Sequence, residues 1–156
     1  MNIWKGKRGF TLLEVLIVVA IIIIIAAIAT PRFTGVAEKG KEARAKGDLR
    51  VLQTAVESFI LNVNELPTSA NVATKLEGAD PNIVSDYAAF ADPFASGTAA
   101  QAYNYNSSTS GGKKLYFFAS RGKDASFQAA FSGANVNCAS PACDDVVVTN
   151  AKLTST

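Results

Sequence analysis

The chain has 156 residues, of which 49% are hydrophobic, and a formal net charge of +2 at pH 7. This length suits one domain with an extension. The basic residues thin out in the C-terminal half, so the charge pattern predicts no specific nucleic-acid partner. The sequence contains no histidine, which removes the commonest general base and metal ligand and argues against a hydrolase or a zinc enzyme.

An almost unbroken apolar run covers residues 10–30, and its only charged residue is Glu14. As an α-helix these 21 residues would span roughly 30 Å, the thickness of the hydrocarbon core of a bilayer. Three basic residues stand directly before the run: Lys5, Lys7 and Arg8. A basic flank of this kind stays in the cytoplasm, so we predict a single-pass membrane helix with a cytoplasmic N-terminus.

Several fates are possible for this helix, and they differ in how they account for Glu14. A secretory signal peptide would be cut at a site such as Ala27-Ile28-Ala29, but the run is long for such a signal and contains the acid. A permanent anchor explains the length and leaves the acid unexplained, because a charge at the bilayer centre costs about 2.5–3.5 kcal/mol. The simple alternative is that Glu14, one turn from the start, reaches the headgroups.

A third fate follows from a resemblance. Residues 7–14, KRGFTLLE, resemble the type III signal of type IV pilins and of the pseudopilins of type II secretion systems, and Pro31 stands where that family has a proline. The resemblance implies that a prepilin peptidase cuts between Gly9 and Phe10, and that Phe10 is then N-methylated. It also implies that Glu14 pairs with the N-terminal amine of a neighbouring subunit during assembly. A buried carboxylate and a buried ammonium cost far less as a pair than alone.

The helical pattern continues beyond the apolar run. Thr30-Pro31 interrupts it, so we expect a kink near Pro31 or a locally melted segment between residues 26 and 40. Apolar residues then recur at three- and four-residue steps, which predicts an amphipathic helix that ends near Asn64. These residues are Leu49, Leu52, Val56, Phe59, Ile60 and Val63.

The C-terminal part alternates short patterns with turn residues. Residues 72–76 predict a short helix, and residues 103–106 and 115–119, separated by a turn-rich segment, predict a β-hairpin. Residues 146–149 supply a third strand. An antiparallel sheet of about three strands would cover the apolar stripe of the helix, so we predict an α+β fold with its tyrosines and phenylalanines packed in the sheet.

The resemblance and these patterns together give a type IV pilin-like organisation. Residues 1–9 are a leader peptide, and residues 10–30 are the half of the helix that serves as membrane anchor and later as filament core. Residues 31–64 are the amphipathic half. Residues 65–156 are a globular domain with the sheet and a cysteine-bearing tail.

Two groups of residues near the C-terminus carry further chemistry. Cys138 and Cys143 lack the partners of a zinc site, which leaves two free thiols or a short disulfide, and an export signal favours the disulfide. Asp124, Asp144 and Asp145 could supply oxygen ligands for calcium; the alternative is that they are solvated, since the sequence has no EF-hand pattern. No other cofactor is expected.

The resemblance implies a structural subunit and not an enzyme. The precursor would sit in the inner membrane among lipids, meet prepilin peptidase and an inner-membrane assembly platform, and polymerise with copies of itself into a helical filament. We favour an extracellular type IV pilus, because a C-terminal cysteine pair is more usual in pilins. The alternative is a periplasmic pseudopilus of a type II secretion system, whose major subunit has a similar order of elements. A membrane-tethered periplasmic binding or enzyme domain is the alternative from another class, but the sequence shows no catalytic constellation.

Overall fold

The structure, a computed structural model, describes residues 9–95, 102–138 and 143–155. The predicted basic flank and most of the predicted leader fall in residues 1–8, outside the described residues. The chain divides into two compact units, Met1–Glu38 and Lys39–Thr156. The helices and strands give the chain an α+β architecture, as predicted.

The long helix α1 extends over 52 residues, Leu12–Val63. It is helical throughout residues 26–40, so the locally melted segment that was one of the two expectations there is absent. A proline removes one hydrogen bond from a helix and can be accommodated by bending, without ending the helix. The kink near Pro31 therefore stays a prediction.

The end of α1 falls where the pattern predicts it. Asn64 has a left-handed backbone (φ 55°), and its N–H donates to the carbonyl oxygen of Ile60 at 2.9 Å. Lys114 Nζ lies 2.5 Å from the carbonyl oxygen of Asn64. Asparagine tolerates this conformation, and a cation is favourable at a helix C-terminus, so both residues stabilise the end of α1. Val63, placed in the apolar stripe by its spacing, is 48% exposed.

Two short helices follow α1 in the described range that ends at residue 95. The first is α2 (Val72–Glu77), which confirms the predicted helix at residues 72–76 and buries Val72 and Leu76. The second is a 3₁₀ turn at Tyr87–Ala89, capped by the Asp86 carboxylate, which accepts from the Ala88 N–H at 3.0 Å.

Within residues 102–138 and 143–155, six strands form two three-stranded sheets. They are β1 (Asn104–Ser110), β2 (Lys113–Ala119), β3 (Ala129–Ser132), β4 (Asn135–Cys138), β5 (Val147–Thr149) and β6 (Lys152–Ser155). The first sheet has the order β1-β2-β5 and is antiparallel. It confirms the predicted hairpin and third strand. Gly111 and Gly112 make its two-residue turn with φ 58° and 75°, a conformation that favours glycine at both positions.

The second sheet, of order β3-β4-β6, extends the prediction of about three strands. Strands β3 and β4 pair antiparallel, whereas β4 and β6 pair parallel. The strands have only four residues each, and β6 lies far along the chain from β4. Local sequence patterns detect such short and distant pairings poorly.

Strand β2 is buried on both faces. Tyr116 and Phe118 belong to a core that includes Leu49, Leu52 and Val56 of α1. Because successive side chains of a strand point to opposite faces, Phe117 and Ala119 belong to a second core, which contains Val136 of β4. The predicted aromatic packing is confirmed, since these side chains are all at most 4% exposed: Tyr103, Tyr105, Tyr116, Phe117 and Phe118.

Two tyrosines tie the first sheet to charged residues of α1. The Tyr103 hydroxyl donates to Asp48 Oδ2 at 2.9 Å, and the Tyr116 hydroxyl donates to Glu57 Oε1 at 2.7 Å. Burial, together with these bonds to carboxylates, raises the pKa of both hydroxyls above the ordinary value for tyrosine. Each tyrosine is therefore held in its neutral, donating form.

A buried carboxylate, Asp92, joins two loops. Its Oδ1 accepts from the Ser120 hydroxyl at 2.8 Å and from the Phe94 N–H at 3.0 Å, and its Oδ2 accepts from the Arg121 N–H at 2.8 Å. Three donors compensate for the loss of water around this carboxylate. Asp92 thus fastens the loop before β1 to the end of β2.

Candidate functional site

The residues predicted for processing lie just outside the helix. Gly9, Phe10 and Thr11 are non-helical, and the Phe10 side chain is 85% exposed. The Gly9–Phe10 peptide bond therefore belongs to an exposed, irregular segment, where a peptidase can reach a backbone. Cleavage there remains a prediction.

Glu14 and Thr11 cap the start of α1 for each other. The Thr11 N–H and hydroxyl lie 3.4 Å from Glu14 Oε2, and the Glu14 N–H donates to Thr11 Oγ1 at 3.2 Å. This reciprocal arrangement of threonine and glutamate three residues apart is a capping box. It satisfies backbone N–H groups that a helix N-terminus otherwise leaves without an intrahelical acceptor.

The capping box gives Glu14 a partner within its own chain. This role of Thr11 was not among the predictions from the sequence, although the Thr-x-x-Glu spacing before an apolar run is its signal. The capping box is therefore one reason for a glutamate at the start of the apolar run, and it needs no contact with another subunit. An amine of another subunit would be an additional partner for the same carboxylate.

The apolar part of α1 lies open. The span Leu12–Ala29 has a mean hydropathy of 3.3 and none of it is buried. By length and composition it could cross a membrane, and a signal sequence would pass the same test. In water such a surface would be unfavourable, so lipid or another apolar surface must cover it.

The three aspartates predicted as calcium ligands come together. One carboxylate oxygen from each of Asp124, Asp144 and Asp145 lies within 4.8 Å of the others. Asp144 Oδ2 accepts from the Lys123 N–H at 2.5 Å, and Asp145 Oδ2 accepts from the Gln128 N–H at 2.7 Å. The second oxygens, Asp144 Oδ1 and Asp145 Oδ1, are buried and have no hydrogen-bond partner among the residues that the structure describes.

Local backbone geometry and burial both shape this cluster. Gly122 has φ 64°, and a Cβ at its position would lie 2.6 Å from Asp144 Oδ1, so only glycine lets the turn approach Asp144 so closely. Burial raises the pKa of the Asp145 carboxyl, and the charges of Asp144 and Asp124 raise it further, against two backbone hydrogen bonds that lower it. Hard oxygen donors with unpaired atoms fit a calcium ion chemically.

A disulfide adjoins the aspartates. Cys138, at the end of β4, forms a disulfide with Cys143, with a Cα–Cα distance of 5.7 Å. Of the two predicted alternatives, free thiols and a short disulfide, the structure has the disulfide. The two cysteines line an open groove of about 500 Å³ together with Asp144, Asp145 and Lys46 of α1. The disulfide thus fixes the chain directly before the two aspartates.

The N-terminal segment matches a known protein family model. Residues 4–30 match the prokaryotic N-terminal methylation motif. The match includes the predicted cleavage site, the capping box and the apolar span. The class to which this segment points is therefore that of proteins with an N-methylated, pilin-type N-terminus, as the resemblance implied.

Similar proteins include a fimbrial protein, a type IV pilin and a type II secretion system protein. A fimbrial protein of Pseudomonas aeruginosa is 46% identical over 66 residues, covering 42% of this chain and 43% of the relative. The type IV major pilin protein PilA of Myxococcus xanthus is 47% identical over 65 residues, covering 42% of this chain and 30% of PilA. The type II secretion system core protein G of Aeromonas hydrophila is 38% identical over 65 residues, covering 42% and 46%.

The chain spans less than half the length of these relatives in each match. The similarity confirms the resemblance to type IV pilins and to pseudopilins. No solved structure matches the chain.

Proposed function

We propose that this chain is a structural subunit that polymerises through α1 into a type IV pilus-like filament after cleavage between Gly9 and Phe10. The observation that supports this most is the open apolar span Leu12–Ala29, which follows the cleavage segment of a matched methylation motif. Cleavage there leaves the span on the mature chain. Lipid would cover it in the inner-membrane precursor, and helices of neighbouring copies would cover it in the filament.

The maturation partners follow from the same proposal. A prepilin peptidase would cut the precursor on the cytoplasmic side, and an assembly platform in the inner membrane would extract the processed subunit. The new amine of Phe10 would lie four residues from Glu14, which is already oriented by Thr11. A carboxylate and an ammonium in an apolar filament core stabilise each other and select the register between helices. The subunit would have no catalytic role.

Intact-mass spectrometry of protein purified from assembled material tests this proposal. The expected mass is that of residues 10–156 with one added methyl group. A chain that begins at Met1, or near Thr30 after signal-peptide cleavage, would contradict it. The matched Glu14→Gln variant keeps the capping acceptor and removes the charge, so it should remain membrane-bound and lose filament assembly at least about tenfold.

A pseudopilus subunit of a type II secretion system is the second candidate, because the relatives include core protein G. The place of the polymer distinguishes the two. Filaments sheared from the cell surface support the pilus, whereas polymer confined to the periplasm, with loss of secretion in a deletion strain, supports the pseudopilus.

We also propose that Asp124, Asp144 and Asp145 bind calcium. The supporting observation is that two buried carboxylate oxygens, one on Asp144 and one on Asp145, have no partner in the described part of the chain. In such a site calcium would neutralise adjacent negative charges and stabilise the turn that contains Gly122.

Thermal unfolding with and without calcium tests the site. Because the pKa of Asp145 is raised in the folded state, the metal-free protein should lose stability as the pH rises through that pKa, and calcium should reverse the loss at pH 7. The Asp145→Asn variant should lose both the pH effect and the response to calcium. An unfolding temperature that calcium and chelator leave unchanged at pH 7 would exclude the site.

A further inference from the structure

The three aspartates of the proposed calcium site stand on two distant segments of the chain. Asp124 precedes the hairpin of β3 and β4, whereas Asp144 and Asp145 follow it. The Asp124 N–H nevertheless donates to Asp144 Oδ2 at 3.1 Å, across 20 positions of sequence. The carboxylates can therefore act together only if the chain returns accurately after β4.

Gln128, directly before β3, contacts all three aspartates. Its backbone N–H donates to Asp145 Oδ2 at 2.7 Å, and its side-chain Nε2 donates to Asp124 Oδ2 at 2.5 Å. Its Oε1 accepts from the Asp144 N–H at 3.3 Å. The next residue, Ala129, donates its N–H to Asp145 Oδ2 at 2.9 Å. The start of β3 thus holds the aspartates by hydrogen bonds.

The disulfide joins the same two segments covalently. Cys138 lies opposite Ala129 in the register of β3 and β4. Its partner Cys143 begins residues 143–145, which we call the returning segment because they include Asp144 and Asp145. Cys138 is 7% exposed and belongs to the second core, so one end of the disulfide is anchored among packed side chains. The bond therefore connects this core to the returning segment directly before the two aspartates.

We propose that the Cys138–Cys143 disulfide positions Asp144 and Asp145 for calcium, so that an intact disulfide strengthens calcium binding. This inference rests on the proposed calcium site and assigns its control to a bond outside the ligand set. Three carboxylates whose oxygens lie within 4.8 Å repel one another, and hydrogen bonds and the disulfide oppose their separation. The disulfide limits the arrangements that the returning segment can adopt, which lowers the entropic cost of gathering the ligands around an ion.

The unpaired oxygens of the site belong to the two aspartates that the disulfide fixes. Asp144 Oδ1 and Asp145 Oδ1 are buried and accept no hydrogen bond from the described residues, whereas the Asp124 side chain is exposed. Buried oxygens without donors are costly, and a returning segment that is free to move can turn them towards water. A disulfide that prevents this movement keeps both oxygens available to a cation. Loss of the bond should therefore weaken calcium binding more than a general loss of stability does.

Calorimetric titration of the full-length chain in detergent micelles with calcium chloride tests this positioning role. The double variant Cys138→Ala with Cys143→Ala should bind calcium about tenfold more weakly than the wild type, a coupling within the range usual for linked sites. Alanine keeps the buried position apolar. Tyr116→Phe removes a hydrogen bond between the first sheet and α1 and leaves the disulfide intact. It is the matched control for a general loss of stability and should keep the wild-type affinity.

The reverse measurement follows reduction of the disulfide in the wild type. Dithiothreitol transfers two electrons and two protons to the disulfide, which gives two cysteine thiols and the cyclic disulfide of the reagent. Because coupling between sites is reciprocal, saturating calcium should lower the equilibrium ratio of reduced to oxidised chain by the same factor of about ten. Thiol alkylation followed by mass spectrometry measures the two forms. In the Asp145→Asn variant, calcium should leave this ratio unchanged.

Three results would overturn the inference. The first is equal calcium affinity with and without the disulfide, or a reduction ratio that calcium leaves unchanged; this refutes the coupling alone. The second is an equal loss of affinity in Tyr116→Phe. The third is loss of the near-ultraviolet circular dichroism of the buried tyrosines on reduction, because the disulfide would then serve the fold of the whole unit. If the oxidised wild type binds no calcium, the proposed calcium site itself fails.

Discussion

The hydrogen bond between Tyr116 and Glu57 offers a sharp test of how the sheet is held on α1. The Tyr116→Phe variant removes only the hydroxyl that donates to Glu57 Oε1 at 2.7 Å and keeps the ring, whose side chain is completely buried. The ring contacts with Tyr105 and Phe118, at 6.5 and 6.4 Å between centroids, stay in place. The effect therefore reports the bond alone.

The loss of stability depends on which hydrogen bonds Glu57 keeps after the Tyr116 hydroxyl is removed. Hydrogen bonds to charged groups contribute about 1.5–3 kcal/mol. Glu57 is exposed and keeps the Gln53 side-chain N–H at 3.0 Å, so its carboxylate remains partly satisfied. We therefore expect a loss of about 1–2 kcal/mol in the free energy of unfolding. For a unit the size of Lys39–Thr156 this lowers the unfolding temperature by roughly 3–10 °C.

Thermal unfolding followed by near-ultraviolet circular dichroism measures this change at pH 7. Tyr105→Phe is the matched control, because the Tyr105 hydroxyl donates to a neutral acceptor, the Pro67 carbonyl, which also accepts from Ser107. Its loss should be smaller, about 0.5–1.5 kcal/mol. A Tyr116→Phe variant as stable as the wild type, or less affected than Tyr105→Phe, would show that the bond to Glu57 does not hold the sheet on α1.

Three further predictions concern the helix start, alkaline pH and the aspartate turn. Thr11→Val should destabilise the first turn of α1 by about 0.5–2 kcal/mol, which would be measured as faster amide hydrogen exchange in that turn in micelles. Thr11→Ser should keep the slow exchange of the wild type. Equal exchange in both variants would exclude the capping role. Burial raises the pKa of Tyr87 to about 12, so stability should fall as the pH rises above 10 in urea titrations, and Tyr87→Phe should reduce that slope. Gly122→Ala should lower the unfolding temperature by several degrees because its Cβ meets Asp144, whereas Gly133→Ala, also at positive φ but in open space, should cost less.

Sequence patterns predicted the features that local chemistry determines. The end of α1 near Asn64 followed from the apolar spacing that continues to Val63, and the first hairpin followed from a turn-rich segment with Gly111-Gly112 between residues 103–106 and the apolar residues 115–119. The second sheet was missed because β4, with the sequence NVNC, is short and polar. Its parallel partner β6 is reached only through tertiary structure, which no local pattern encodes.

The candidate site was predictable in part for a similar reason. Gly9, Phe10 and Glu14 stand in a contiguous motif, so the methylation segment could be identified residue by residue. The role of Thr11 depends on where the helix begins, and the environment of Asp124 depends on a turn that brings it against residues 20 positions away. Such contacts require the fold.

Because β2 is buried on both faces, its side chains can show whether the two cores of the domain unfold together. Phe117 and Phe118 are adjacent along the chain, yet each reports on a different core. A fluorine label on one ring or the other would follow each core separately. It would show whether the core that contains Cys138 unfolds at the same denaturant concentration as the core that contains residues of α1. Coincident transitions would mean that a single cooperative unit shares one strand, and separate transitions would mean that β2 is the seam between two foldons.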